Sequence, residues 1–170
     1  MKEIVIINGE AGCGKDTFVE LVTKVCGLGN VKNISTIDPI KRMAMIAGWN
    51  GVKDDKSRKF LSDLKDQCEA LFDTSWKYIK DAVQDFEDGS EEILFIHCRE
   101  PKQIERLCKE YGAKSLLIVR EGYSTTPSNH ADANVYDYSY DFTVKNPGDG
   151  LRQYMLNALD FLDELEESYD

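Results

Sequence analysis

The sequence predicts an α/β fold in which a five-stranded parallel sheet lies between two layers of helices. A continuous β-branched run at residues 3–7 is typical of a strand that is buried on both faces. Similar runs alternate along the chain with stretches whose apolar residues recur at helical spacing. This alternation favours a parallel sheet, because a helical crossover returns the chain parallel to the preceding strand.

The five strands and the helices between them can be placed in order. Strands are predicted at 3–7, 31–37, 92–98, 114–119 and 140–144. Helices are predicted after a glycine-rich turn at 9–14, then at 38–49, in two stripes between 60 and 86, at 101–111, and from 151 onwards. Asp38 as a cap and Pro39 behind it favour a helix start. We expect one domain over 1–170, with a helical insertion at about 38–90.

Residues 121–134 form the one long stretch without clear periodicity, and they are rich in Ser, Thr, Asn and Pro. A segment of this length in a compact domain is usually functional, so a short lid is predicted there.

Composition limits the classes of partner. With 170 residues and a formal net charge of −10, the chain suits one acidic domain, which argues against binding to nucleic-acid polymers or anionic membranes.

The five cysteines of the chain include no C-x-x-C pair, and it has only two histidines, so free thiols are favoured over a zinc site. No apolar run is long enough to span a membrane. We expect a cytoplasmic protein, and the sequence favours neither a monomer nor an oligomer.

The glycine-rich turn nearly matches the pattern G-x-x-x-x-G-K-[ST]. Gly9, Gly14 and Lys15 fit it, whereas Asp16 replaces the hydroxyl residue, which comes one place later as Thr17. A strand, a glycine-rich loop and a helix direct backbone N–H groups at one point, which suits phosphate. We call residues 9–16 the phosphate loop. It predicts a three-layer P-loop NTPase fold; the alternative is a turn that merely joins strand to helix.

The stretch GCGKDTFVELV resembles the phosphate loop of the bacteriophage-type deoxynucleoside monophosphate kinases, within the adenylate kinase-like P-loop kinases. The resemblance implies ATP and Mg²⁺ as cofactors, with Asp16 facing the metal and Thr17 touching the α-phosphate. A carboxylate is a reasonable ligand for this hard cation. The implied cofactor-binding set is Gly9, Gly12, Cys13, Gly14, Lys15, Asp16, Thr17, Asn146 and Gly148.

Three further segments are similar to that family. IDPIKRMA at 37–44 resembles its acceptor-side segment, which implies Asp38, Lys41 and Arg42 as substrate-binding residues. HCREP at 97–101 resembles a segment after the third strand and implies Arg99 as a further substrate ligand. The segment at 140–155 resembles the closing stretch of the family, where residues 146–148 would pass near the nucleotide base.

The chain also departs from the family pattern. His97 stands where the family usually has Asp, and the lid segment contains no Arg or Lys. Arg99 and Arg120, both at strand ends, are the nearest substitutes for lid arginines, so with Lys15 they are the predicted catalytic residues. Their alternative is an ordinary solvated arginine. Cys13, at a helix N-terminus, could have a lowered thiol pKa, although a small filler residue is the favoured interpretation.

Three functions remain open at this stage. Phosphoryl transfer from ATP to a (deoxy)nucleoside monophosphate is favoured, because the acceptor is already an anionic oxygen and no general base is required. A kinase of a small hydroxyl compound, similar to dephospho-coenzyme A kinase, would use Asp38 as base. A nucleotide-binding regulator with a degenerate kinase site is suggested by His97 and by the lid without arginine.

Overall fold

The computed structural model describes residues 2–52, 54–123 and 134–168, and it confirms the predicted α/β architecture. The strands are β1 (Glu3–Asn8), β2 (Val31–Ser35), β3 (Ile93–His97), β4 (Lys114–Arg120) and β5 (Phe142–Asn146). The helices are α1 (Lys15–Cys26), α2 (Asp38–Ile46), α3 (Asp55–Phe72), α4 (Thr74–Asp88), α5 (Pro101–Tyr111) and α6 (Leu151–Glu167). Most of the predicted lid, residues 124–133, lies outside the described residues.

The five strands form one parallel sheet in the order β2-β3-β1-β4-β5, with helices on both faces. Ile7 pairs with His97, Asn8 with Leu117, and Arg120 with Asn146. Parallel pairing brings the carboxyl ends of β1, β3, β4 and β5 to the same edge. The segment that follows β1 at this edge is the phosphate loop.

The last strand begins two residues later than the predicted 140–144. Tyr140 and Asp141 precede it, and the backbone amide of Asp141 donates to the Ser115 hydroxyl at 2.9 Å instead of to a strand carbonyl. The Tyr140 hydroxyl donates to the Val135 carbonyl at 2.7 Å. One Asp141 oxygen accepts from both the amide and the hydroxyl of Ser115 at 2.7 Å. The shift makes Asn146 the last residue of β5.

Contacts divide the chain into two compact units. The first, Met1–Asn33 with Ser90–Asp170, has its apolar core between one face of the sheet and the packed helices α1 and α6. Phe18 of α1 is fully buried there, with ring centroids 5.5 Å from Phe161, 5.8 Å from Tyr154 and 6.4 Å from Phe95. Burying such a side chain contributes about 1.5–3 kcal/mol, so Phe18 fixes α1 and the loop before it.

The second unit, Ile34–Gly89, contains α2, α3 and α4. Its core joins Ile40 and Ala44 of α2 to Leu61 and Cys68 of α3. A single domain with a helical insertion at about 38–90 stays a prediction. Across both units, no helix within the described ranges combines the length and apolar character that crossing a membrane requires.

Candidate active site

The phosphate loop needs glycine at three positions. The backbone φ angles of Gly9, Gly12 and Gly14 are 151°, 76° and 99°, and residues that carry a side chain rarely adopt such positive values. A Cβ atom at Gly9 would lie 2.5 Å from the Ile118 carbonyl oxygen, and one at Gly14 would collide with the Asn146 side-chain amide. The glycines therefore allow the loop both its turn and its close approach to β4 and β5.

Lys15 holds the first half of the loop from inside. Its ammonium donates to the carbonyl oxygens of Gly9 at 2.7 Å and Glu10 at 2.8 Å. The next carbonyl, that of Ala11, accepts from the Tyr123 hydroxyl at 3.2 Å. Three consecutive carbonyls thus have side-chain donors.

The second half of the loop is held by side chains from three other elements. Nη1 of Arg120 donates to the Gly12 carbonyl at 3.4 Å. Nδ2 of Asn146 donates to the Cys13 carbonyl at 2.8 Å, and the Tyr154 hydroxyl of α6 donates to the Gly14 carbonyl at 3.0 Å. All six carbonyl oxygens of residues 9–14 therefore accept a hydrogen bond from a side chain.

The N-terminus of α1 provides the opposite kind of group. The helix begins at Lys15, and within the described part of the chain no side chain caps it by a hydrogen bond. The first N–H groups of a helix have no acceptor inside it, and they carry the positive end of the helix dipole. With the loop carbonyls engaged and these donors available, the arrangement suits a bound anion.

Lys15 adds a formal positive charge in a poorly solvated place. Burial lowers the pKa of its ammonium, and the nearby positive charge of Arg99 lowers it further, against the opposing influence of Cys13 and Asp16. The structure thus brings Arg99, which follows β3, close enough to act on Lys15. A negatively charged ligand would relieve the cost of holding these two cations together. Contact between Arg99 and a phosphate stays a prediction.

Cys13 packs into the interior of the loop. Its side chain is buried, and burial raises the pKa of the thiol more than the Lys15 ammonium, 3.7 Å from the sulfur, lowers it. The structure therefore does not show the lowered thiol pKa that its position beside a helix N-terminus suggested. The neighbourhood favours the interpretation of Cys13 as a small filler, and ligand binding through its backbone stays a prediction.

The side chains of Asp16, at the end of the phosphate loop, and His97, at the end of β3, lie close to each other. Oδ1 of Asp16 lies 4.0 Å from Nε2 of His97; the Asp16 side chain is 89% exposed and that of His97 is 14% exposed. Among residues 2–52, 54–123 and 134–168, no group of three or more His, Cys, Asp or Glu side chains could hold a metal ion. The Asp16 carboxylate still fits Mg²⁺, provided that nucleotide phosphates supply further oxygen ligands.

Asn146 and Gly148 hold one another as well as the loop. Oδ1 of Asn146 accepts a hydrogen bond from the Gly148 amide at 3.0 Å, while Nδ2 of Asn146 donates to the Cys13 carbonyl. Gly148 has φ +87° and lies beside the guanidinium of Arg120, which stacks over the Tyr123 ring at 5.0 Å. Both ends of the Asn146 amide are thus engaged within the protein. Roles for Asn146 and Gly148 at the nucleotide and for Arg120 at the phosphate stay predictions.

Several residues that hold the loop were missed by the sequence analysis. They are Asn8, whose Oδ1 accepts from the Gly9 amide at 2.8 Å, and the tyrosines Tyr123, Tyr136 and Tyr154. The Tyr136 hydroxyl donates to the Glu10 carboxylate at 2.9 Å. Asn8 could have been found as a polar residue that ends an apolar strand, whereas nothing in the sequence indicates the hydroxyl partners of the tyrosines.

The second unit brings the three predicted acceptor residues into one cluster with Tyr78. Oδ2 of Asp38 accepts from the Ser35 amide at 2.8 Å and lies 3.5 Å from the Tyr78 hydroxyl. The Lys41 ammonium is 3.9 Å from the other Asp38 oxygen, and Arg42 lies over the Tyr78 ring at 5.4 Å. Asp38 is the first residue of α2 and not its cap, which is Ile37, and the Asp38 carboxylate is hydrogen-bonded to the last residue of β2. Substrate binding by Asp38, Lys41 and Arg42 stays a prediction.

Thr17 lies in the first turn of α1, and its side chain is half-buried. Its predicted contact with the α-phosphate is not tested by any observed contact and stays a prediction.

Comparison with known proteins identifies the fold. No protein-family model and no curated protein matches the sequence. The structure is similar to a tunicamycin resistance protein from Deinococcus radiodurans, with a TM-score of 0.56, 12% identity, and 95% of this chain and 96% of the other covered. It is also similar to a gluconokinase from Sinorhizobium meliloti 1021, with a TM-score of 0.53, 15% identity, and 99% and 95% covered.

A third similar structure is TT1252 from Thermus thermophilus, with a TM-score of 0.53, 15% identity, and 95% of this chain and 96% of the other covered. At such identities a likeness is evidence of fold alone. What the comparisons show is the fold: the chain has the α/β P-loop NTPase fold, with a five-stranded parallel sheet between helices.

Proposed function

We propose that the protein is an ATP- and Mg²⁺-dependent kinase of a small molecule, and that this acceptor is a (deoxy)nucleoside monophosphate. The observation that carries this proposal is the phosphate loop, in which six consecutive carbonyl oxygens are engaged by side chains at the uncapped N-terminus of α1. A turn that only joined a strand to a helix would not require five side chains to hold it in this form.

The chemistry needs charge neutralisation more than acid–base catalysis. Lys15 and Arg99 would stabilise negative charge on the transferred phosphoryl group, and burial strengthens the effect of Lys15 because it lowers the local dielectric. Asp16 would hold Mg²⁺, which supplies further neutralisation of the phosphate oxygens when it is bound. Arg120 is proposed to act beside the loop, where Gly12 and Tyr123 fix its guanidinium.

A nucleoside monophosphate is the favoured acceptor for two reasons. The loop sequence GKD-T resembles that of the phage-type kinases, and the second unit presents two cations, Lys41 and Arg42, suited to an acceptor phosphate. One oxygen of Asp38 is already engaged by the Ser35 amide, which is consistent with a positioning role.

A small hydroxyl compound is the second candidate acceptor. The observation in its favour is the Asp38 carboxylate itself, which could accept the proton of a substrate hydroxyl, and gluconokinase is among the proteins of similar structure. The likeness to gluconokinase is one of fold, so it raises this candidate without displacing the first.

A coupled assay of ADP release tests the proposal. The acceptors to compare are the nucleoside monophosphates, dephospho-coenzyme A, sugar acids and simple alcohols, each with and without Mg²⁺. Turnover with a nucleoside monophosphate is expected. Turnover only with an alcohol would overturn the assignment of a nucleoside monophosphate as acceptor. ATP binding without turnover on any acceptor would favour the alternative of a nucleotide-binding regulator with a degenerate kinase site.

Lys15→Ala tests the loop itself. The variant should lose nucleotide binding or phosphoryl transfer, whereas Lys24→Ala should keep both, since Lys24 is exposed in the last turn of the same helix. Intact binding and transfer in Lys15→Ala would contradict the central proposal.

A further inference from the structure

We propose that His97 is a direct nitrogen ligand of the nucleotide-bound metal, together with Asp16, and that this ligand raises the affinity of the site for transition-metal ions relative to its affinity for Mg²⁺. This inference rests on the proposed function, because the metal would arrive with the nucleotide. It concerns a ligand that the resemblance does not supply, since the phage-type kinases usually have Asp at this position.

The separation of the two side chains suits a bridging ion. Nε2 of His97 and Oδ1 of Asp16 are 4.0 Å apart, which is too long for a hydrogen bond. Two metal–ligand bonds of about 2.1 Å each span up to about 4.2 Å, so one ion can contact both atoms. If the two atoms are to occupy adjacent coordination positions of the ion, they must move about 1 Å closer together than their present separation.

The two residues differ in freedom, which allows that approach. His97 is the last residue of β3, is paired with Ile7 of β1, and is largely buried, so the sheet fixes its imidazole. Asp16 is 89% exposed in the first turn of α1, so its carboxylate can rotate toward the imidazole without displacing packed atoms.

The ligand chemistry then determines the preferred metal. Carboxylate and phosphate oxygens suit Mg²⁺, whereas an imidazole nitrogen favours ions later in the series from Mn²⁺ to Zn²⁺. The described residues supply no cluster of three or more such side chains. Tight metal binding should therefore require the nucleotide, whose phosphates complete the ligand set.

Pulsed electron paramagnetic resonance with Mn²⁺ and ADP tests the nitrogen ligand directly. The ternary complex should show electron spin-echo modulation from a coordinated nitrogen, and this modulation should change on labelling with ¹⁵N-histidine. His97→Gln should abolish it. The chain has one other histidine, His130, so His130→Gln is the matched control and should retain the signal.

Titration of metal preference gives the second measurement. The ratio of Mg²⁺ to Co²⁺ dissociation constants, measured with ADP bound, should fall about tenfold or more in His97→Asp, since even partners that only orient a metal ligand typically affect affinity by 10–100-fold. An unchanged ratio would contradict the inference.

The outcomes separate this inference from the function on which it rests. A Mn²⁺·ADP complex that forms without nitrogen modulation would overturn the role of His97 and leave the kinase proposal intact. Failure of the protein to bind Mn²⁺·ADP or Mg²⁺·ADP at all would contradict the proposed function and this inference with it.

Discussion

The side-chain amide of Asn146 donates a hydrogen bond of 2.8 Å to the carbonyl oxygen of Cys13, across 133 positions of sequence. It joins the last residue of β5 to the centre of the phosphate loop, in a buried setting. A buried acceptor that loses its donor costs about 1–3 kcal/mol, so this contact contributes to stability as well as to loop geometry.

Asn146→Asp should weaken both properties, because a carboxylate facing the Cys13 carbonyl replaces a donor with a second acceptor. We expect the free energy of unfolding to fall by about 1–3 kcal/mol in urea titrations and ADP affinity to fall about tenfold or more. Asn157→Asp is the matched control, since Asn157 donates to the Lys145 carbonyl at 2.8 Å on the exposed surface. Equal losses in the two variants would contradict the special role of Asn146.

Gly14→Ala should damage the loop beyond the cost of backbone strain. Gly14 has φ 99°, and its new methyl group would meet the Asn146 amide. Gly29 has φ 97° with nothing within 4 Å of an added Cβ, so Gly29→Ala measures the strain alone, about 1–2 kcal/mol. Thermal or chemical unfolding should show the larger loss in Gly14→Ala, and only that variant should lose ADP affinity. Equal unfolding losses would refute the predicted collision.

The charge of Lys15 should make stability depend on pH in a definite direction. Burial lowers the folded-state pKa of Lys15 below its unfolded value of about 10.5, so the unfolded state binds more protons between the two values. The wild type should therefore gain stability relative to Lys15→Met as the pH rises through the folded pKa toward 10.5. Urea titrations of both proteins in parallel from pH 7 to 10.5 measure this difference, and an opposite slope would contradict the depressed pKa.

Asp38→Asn distinguishes the two candidate acceptors. If Asp38 takes a proton from a hydroxyl substrate, kcat should fall about 10²–10⁴-fold with that substrate. If the acceptor is a nucleoside monophosphate, no proton transfer is needed, so KM should change more than kcat. Steady-state kinetics with the best acceptor from the ADP-release screen separate these outcomes. A large loss of kcat with a monophosphate would contradict the positioning role.

The sheet and the phosphate loop could be predicted because their signals are local. β-branched runs such as residues 3–7 specify buried strands, and Gly9, Gly14 and Lys15 occupy a short, fixed spacing. The start of β5 was missed by two residues, where the backbone amide of Asp141 bonds to the hydroxyl of Ser115, a residue 26 positions away. Local pattern contains no information about such partners.

The supports of the site could not be predicted for the same reason. Tyr154 lies in a helix among apolar residues, and its ring is buried in the core. Its hydroxyl nevertheless donates to the carbonyl oxygen of Gly14, 140 positions away, and no local pattern indicates that contact. Tyr123 reaches Ala11 across 112 positions. The proximity of His97 to Asp16 could be anticipated, because His97 ends β3, Asp16 begins the helix after β1, and the carboxyl ends of these neighbouring parallel strands meet at one edge.

The supports of the phosphate loop also have a consequence for biosynthesis. Four of its six carbonyls depend on side chains between 108 and 140 positions downstream, namely Arg120, Tyr123, Asn146 and Tyr154. The loop is therefore synthesised before these partners. Nascent chains that end before α6 should carry the complete glycine motif and still fail to retain nucleotide, so nucleotide capture would follow the synthesis of α6 and not that of the motif.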